Sequence, residues 1–199
     1  NLRKYLNIKY RPEIDGLRAI SVIAVIIYHL KINLFGQKFL EGGFFGVDIF
    51  FVISGYLITQ LILKEIVVTD NFNFKNFYLR RIRRLLPILI VVIIFSVPLG
   101  WKYMLPTDFM ELSKSTIFSI FFSSNLYFYF SGVEYIKQDA LLQPLLHTWS
   151  LSVEEQFYLF FPFFLYLLFK IKKNYNFYLF ILSLIISISF LLNLFFISK

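Results

Sequence analysis

The sequence predicts an all-α, polytopic transmembrane protein, and three observations carry that prediction. Of the 199 residues, 58% are hydrophobic and only 16% are charged, too few charges to cover a water-soluble fold of this size. The apolar residues form long runs, and Phe177 to Ile197 holds no charged residue over roughly the 20 positions that a helix needs to cross the hydrocarbon core. The polar minority is clustered between those runs, where loops and headgroup-level anchors belong.

Taken in order, the first span is expected at about 14–30. Pro12 suits a helix entrance, and Asp15 and Arg18 stand close to it. The basic residues Arg3, Lys4, Lys9 and Arg11 precede this span as in a signal peptide, yet no small-x-small cleavage site follows Leu30, so it reads as an uncleaved signal anchor. A loop from Lys31 to Glu41 ends in Gly42-Gly43 and leads to a second span at 44–68, whose Gly46, Ser54 and Gly55 offer small surfaces to a neighbouring helix. Lys75, Arg80, Arg81, Arg83 and Arg84 then precede Pro87 and a third span at 85–103. This cluster is the strongest topology signal in the chain, and with the basic start it places the N-terminus on the cytoplasmic side.

The stretch 109–130 is interrupted by Ser113, Ser115, Ser119, Ser123, Ser124 and Asn125. A full crossing there would put Lys170, Lys172 and Lys173 outside, against the charge rule, so the segment is expected to be a re-entrant or short membrane helix. Spans at 151–169 and 176–197 complete five crossings. The chain begins at Asn1 and ends beside a hydrophobic stretch, as expected of a piece of a longer protein.

Composition also excludes several functions. The net charge of +8 sits in short clusters abutting apolar segments, which points to headgroups and not to nucleic acid. With no cysteine, disulfides and thiolate chemistry are absent, and two histidines make no histidine-rich metal site, so no metal is expected.

Charged groups inside spans are costly, and such residues are the candidates for chemistry. Arg18 and His29 are eleven positions apart, about three helical turns, which puts them on one face about 16 Å apart along the axis. A histidine exchanges protons near neutral pH, whereas an arginine can hold an anion or brace a carboxylate. The alternative is that Arg18 snorkels and His29 anchors the helix at an interface. Asp48 is the nearest acidic candidate to orient His29, or it serves as helix-entrance charge. Gly42, Gly43 and Gly46 superficially resemble a phosphate loop but lack its lysine and hydroxyl, and close helix packing explains them as well. Arg80, Arg81, Arg83 and Arg84 are either topology determinants or a grip for a multiply phosphorylated cofactor. Near the last candidate group, Ser152 with Glu155 fits a capping box, leaving His147, Trp149 and Glu154 as a polar group at a helix entrance.

The segments YRPEIDGLRAISVIAVIIYH, GGFFGVDIFFVISGYLI, FYLRRIRRLLP and LLHTWSLSVEEQFYLFFP, together covering roughly 10–162, resemble the membrane-bound acyltransferase family 3, which includes bacterial O-antigen and other polysaccharide O-acetyltransferases. The resemblance implies that the chain is the N-terminal half of a roughly ten-helix enzyme in the bacterial cytoplasmic (inner) membrane. It implies no tightly bound cofactor, an acyl-CoA donor, usually acetyl-CoA, and as acceptor an envelope glycan or lipid-linked saccharide. The family's essential first-helix arginine and histidine fall on Arg18 and His29. Its R-x-x-R pattern is met twice, by Arg80 with Arg83 and by Arg81 with Arg84. Asp48, Ser54 and Gly55 match its glycine-rich block, and Glu154 and Glu155 the block after Trp149. The rival reading is a transporter or nonenzymatic membrane component in which Arg18, His29 and Glu154 line a polar pathway.

Overall fold

The computed structural model describes residues 11–34, 37–132, 143–171 and 174–197. The expectations resting on Arg3, Lys4, Lys9, Lys172, Lys173 and Lys199 lie outside the described residues. Among the described residues seven helices follow one another: α1 (Pro12–Leu30), α2 (Phe45–Thr69), α3 (Phe74–Tyr103), α4 (Pro106–Ile120), α5 (Ser124–Phe130), α6 (Thr148–Ile171) and α7 (Tyr175–Ile197). Between α1 and α2, a two-residue antiparallel bridge pairs Asn33–Leu34 with Gln37–Lys38, and a 3-10 turn covers Glu41–Phe44.

The chain is a multi-pass helical membrane protein. Among the described residues, four stretches are long and apolar enough to cross a bilayer: Glu41–Thr69, Phe74–Tyr103, Thr148–Ile171 and Asn176–Phe196. The first expected span, α1, is not among them, because Glu13, Asp15 and Arg18 crowd its first two turns. Helix α3 begins at Phe74, eleven residues before the expected start, so the arginines lie on the helix and not ahead of it. Pro87 therefore stands inside the helix. It removes only the hydrogen bond to the carbonyl of Arg83, and a neighbouring polar side chain or water can satisfy that group. The Asn73 side chain supplies the cap, accepting from the Asn76 amide at 3.0 Å.

Helices α1 and α2 form an antiparallel pair. A Cβ on Gly43 would meet the Ala24 carbonyl oxygen at 2.4 Å, and one on Gly46 would meet the Ser21 oxygen at 2.6 Å, so glycine at these two positions lets the backbones touch. The expectation fails for Gly42 and Gly55: a Cβ on Gly42 would meet only Phe45 of its own turn, at 3.7 Å, and one on Gly55 would meet nothing within 4 Å, because α1 contacts α2 along a different line.

A single apolar cluster ties α2, α3, α6 and α7 together. Ile58, Ile62 and Ile66 from α2 meet Phe77 from α3, Leu165, Leu168 and Phe169 from α6, and Tyr178 at the start of α7. Phe51 packs edge-on against Trp149, so α2 and α6 run parallel, while Phe74 against Tyr166 makes α3 antiparallel to α6. Lys64, Lys75, Arg80 and Lys170 are consequently gathered at one end of the bundle, and Leu30, Tyr103 and Thr148 are directed toward the other.

The serine-rich stretch forms two short helices joined by a sharp turn at Phe122, where φ is 49°. At 15 and 7 residues, neither α4 nor α5 has the length of a crossing. Its serines are the docking surface. Ser119 lies 2.8 Å from the Thr148 hydroxyl, Thr148 donates to Ser124 at 2.9 Å, and Ser124 lies 2.8 Å from Ser152, all of them buried. Beside them the Gln156 amide donates to the Phe122 carbonyl at 2.9 Å and to Asn125 at 3.0 Å. Hydrogen-bonded hydroxyls this small let α4 and α5 approach α6 closely in an apolar setting.

That network corrects the capping-box expectation. Because α6 begins at Thr148, Ser152 already lies in its second turn, and its hydroxyl serves Ser124.

Candidate active site

The candidate residues fall into two groups, and α6 contributes to both. At its N-terminal end, His147 is close enough to His29 of α1 for the two imidazoles to feel each other's charge. His29 occupies the last turn of α1, with its ring edge-on to Tyr28 at 5.3 Å, and Tyr28 in turn packs on Phe44 at 5.7 Å. Trp149 rests against Phe51 at 6.3 Å. Desolvation of its ring pushes the pKa of His147 below the ordinary histidine value, and the neighbouring His29 acts in the same direction.

Arg18 stands on the same helix as His29 but is not brought to it. It is half-buried, and its nearest acidic partner is Asp15 one turn away at 4.0 Å, a loose pair. Asp48 remains exposed in the first turn of α2 and is not hydrogen-bonded to His29, so of its two expected roles its position supports the helix-entrance one.

The second group lies about two turns further along α6, where α3 and α2 meet it. Arg81 of α3 lies with its guanidinium carbon 3.7 Å from the centre of the Tyr158 ring and 5.7 Å from that of Phe77, and one of its guanidinium nitrogens is 4.0 Å from a Glu155 carboxylate oxygen. The Tyr158 hydroxyl donates to Glu154, and Ser54 of α2 stands beside the same hydroxyl. Arg84 is near enough to Glu155 to act on it electrostatically, whereas Arg80 and Arg83 are exposed. The sequence left the two overlapping arginine pairs equivalent; the helix phase separates them, turning Arg81 inward.

Arg80 opens on a different feature. With Leu61, Lys64, Glu65, Val68 and Thr69 it lines an open cavity of about 300 Å³ between the end of α2 and the start of α3.

The capping role expected of Glu155 fails, and both glutamates have partners of their own. Glu154, which had no evident structural task, holds Tyr158, and Glu155, expected to cap the helix, faces the arginines. Sequence reasoning missed Tyr158. Its signal was its position one turn after Glu154, a hydroxyl on an otherwise apolar helix face that is 3% exposed in the fold.

A family model described as Acyltransferase domain matches residues 11–199. The chain is 45% identical over 170 residues to the peptidoglycan O-acetyltransferase OatA of Listeria monocytogenes, covering 83% of this chain and 26% of that protein. It is 42% identical over 188 residues to the O-acetyltransferase OatA of Staphylococcus aureus strain NCTC 8325, covering 92% of this chain and 30% of that one. A protein of Staphylococcus aureus strain MSSA476, provisionally named an O-acetyltransferase, is 44% identical over 174 residues, 87% of this chain and 28% of its own length. The chain thus spans between a quarter and a third of the length of these relatives. No solved structure matches it.

Proposed function

The chain belongs to the acyltransferase-domain family, and from that premise we propose that it is part of a membrane enzyme that moves an acyl group from acyl-CoA to a hydroxyl of a cell-envelope glycan. The names of the relatives favour acetyl as the group transferred and peptidoglycan as the acceptor, ahead of O-antigen. The basic end of the bundle faces the cytoplasm, as the positive-inside rule favours, and the N-terminus of α1 lies on that side of a bacterial cytoplasmic membrane with α1 as a further crossing. The α4–α5 hairpin is a re-entrant element beside α6.

In this reading the exposed arginines of α3 hold the phosphates of the donor, for which the planar guanidinium fork is suited. His29 takes the proton of the acceptor hydroxyl as its oxygen attacks the thioester carbonyl. The carbon–sulfur bond then breaks, and the departing CoA sulfur receives the proton back from the imidazole. Negative charge grows on the carbonyl oxygen in between, and a helix-end N–H near His29 lowers that barrier; Arg18, about three turns away, is too distant to touch the same oxygen. Glu154 supports the reaction from α6 through Tyr158.

The single observation that carries this reading is that His147, just ahead of α6, lies within electrostatic reach of His29 at the end of α1, at the end of the bundle away from the arginines. The test is transfer of labelled acetyl from acetyl-CoA into envelope glycan by the full-length protein. His29→Ala should lower transfer by about 100-fold or more while the protein remains in the membrane at its usual level. Transfer at the unaltered rate would remove His29 from the chemistry.

A further inference from the structure

We propose that Arg81 is a positioning residue that braces α3 against α6, and that the donor phosphates are taken by its exposed neighbours Arg80, Arg83 and Arg84. The inference rests on the acyl-CoA reading only for its second half.

A phosphate ligand must offer its guanidinium edge to the solvent side. The side chain of Arg81 is 21% exposed, and that of its partner Glu155 is 15% exposed. One face of the guanidinium lies over Tyr158 at 3.7 Å, and Phe77 stands 5.7 Å away. Both rings are themselves buried, at 3% and 2% exposure. A cation set on a desolvated aromatic face beside a carboxylate already has its electrostatic partners. The Glu155 oxygen nearest to Arg81 is buried and accepts no hydrogen bond, so the guanidinium is what balances it. Tyr158 extends the brace, since its hydroxyl holds Glu154 and stands beside Ser54 of α2. Three helices therefore meet at one guanidinium. The phase of α3 turns Arg80 and Arg83 away from this contact, Arg84 stays within electrostatic reach of Glu155, and all three are exposed.

The charge balance provides the test. Removing Arg81 alone strands Glu155, whereas removing both charges leaves an uncharged contact of similar shape. In the full-length protein in detergent, Arg81→Met should lower the thermal unfolding midpoint, and Arg81→Met with Glu155→Gln should restore most of it. Binding of CoA should stay within about twofold of the parent in the double variant, while Arg83→Gln should weaken it by about tenfold without moving the midpoint. Should Arg81→Met fail to accumulate, Arg81→Lys replaces it, with a lowered midpoint expected because the planar stack is lost. An unchanged midpoint in Arg81→Met or Arg81→Lys, or a CoA affinity that the double variant does not recover, overturns the proposal. A parent protein that binds no CoA refutes the donor reading, and the midpoints then still decide the brace.

Discussion

A single methyl group is enough to probe the α1–α2 contact. Gly46→Ala would drive its Cβ into the Ser21 carbonyl and the Val25 side chain, at 2.6 and 2.8 Å, and should destabilise the protein by about 1–3 kcal/mol. Gly55→Ala, with open space around it, should be neutral or stabilising by up to about 1 kcal/mol, since alanine is the better helix former. Thermal unfolding of both variants in detergent checks the contrast. His147 gives a pH signature. Its pKa lies below the ordinary value, so as pH falls the unfolded chain takes up this proton before the folded one does. Between the two values the unfolded state binds more protons, and stability rises with pH. His147 thus contributes its full stability above about pH 6.5 and loses it as pH drops through its folded value. His147→Gln should flatten that acid loss in a series of unfolding midpoints, and an unchanged slope would assign the loss to another group. At this scale the sequence revealed which residues were expensive, Arg18 and His29 among them, because charge in an apolar run needs no partner to be noticed. It could not separate Arg81 from Arg80, since that depends on where α6 lies around α3.

Helix positions were largely legible, because hydrophobic runs and Pro12 mark them directly. Boundaries set by tertiary contact were not. The start of α3 lies at Phe74 because Phe77 is buried among α2 and α6 residues, a contact between positions far apart in the chain. The paired serines of the α4–α5 segment looked like interruptions and prove to be its attachment. Ser152→Leu should therefore be more harmful than loss of the hydrogen bonds alone, which are worth about 1 kcal/mol each, because it forces α5 off α6. Ser152→Ala keeps the spacing and should show only the smaller effect. Protease sensitivity around residues 121–124 in the two variants would separate wedging from bond loss.

The whole molecule orders its helices so that the ends of α2 and α6 and the beginning of α3 share one basic pole. This chain contributes no cysteine, so single cysteines placed in it can be labelled selectively. Cysteines at Lys64, Lys75 and Lys170 should react from one side of the membrane, and those at Lys102 and Ser131 from the other. Labelling of Lys102 and Ser131 from opposite sides would convert the α4–α5 segment into a true crossing. This pole, and the shared direction of α2 and α6, were readable from charge and the expected re-entrant segment; that α2 and α6 are direct neighbours was not, because it needs the contact of Phe51 with Trp149.

His147, just ahead of α6, and Glu155 within it stand eight residues apart, about 12 Å at helical rise and less than half the ~30 Å thickness of the hydrocarbon core. If the proposed acyl transfer runs between these two levels, a flexible tether on the donor can bridge so short an interval. Such a cycle would have no need to rock between inward- and outward-open forms and should survive cross-links that would arrest a carrier.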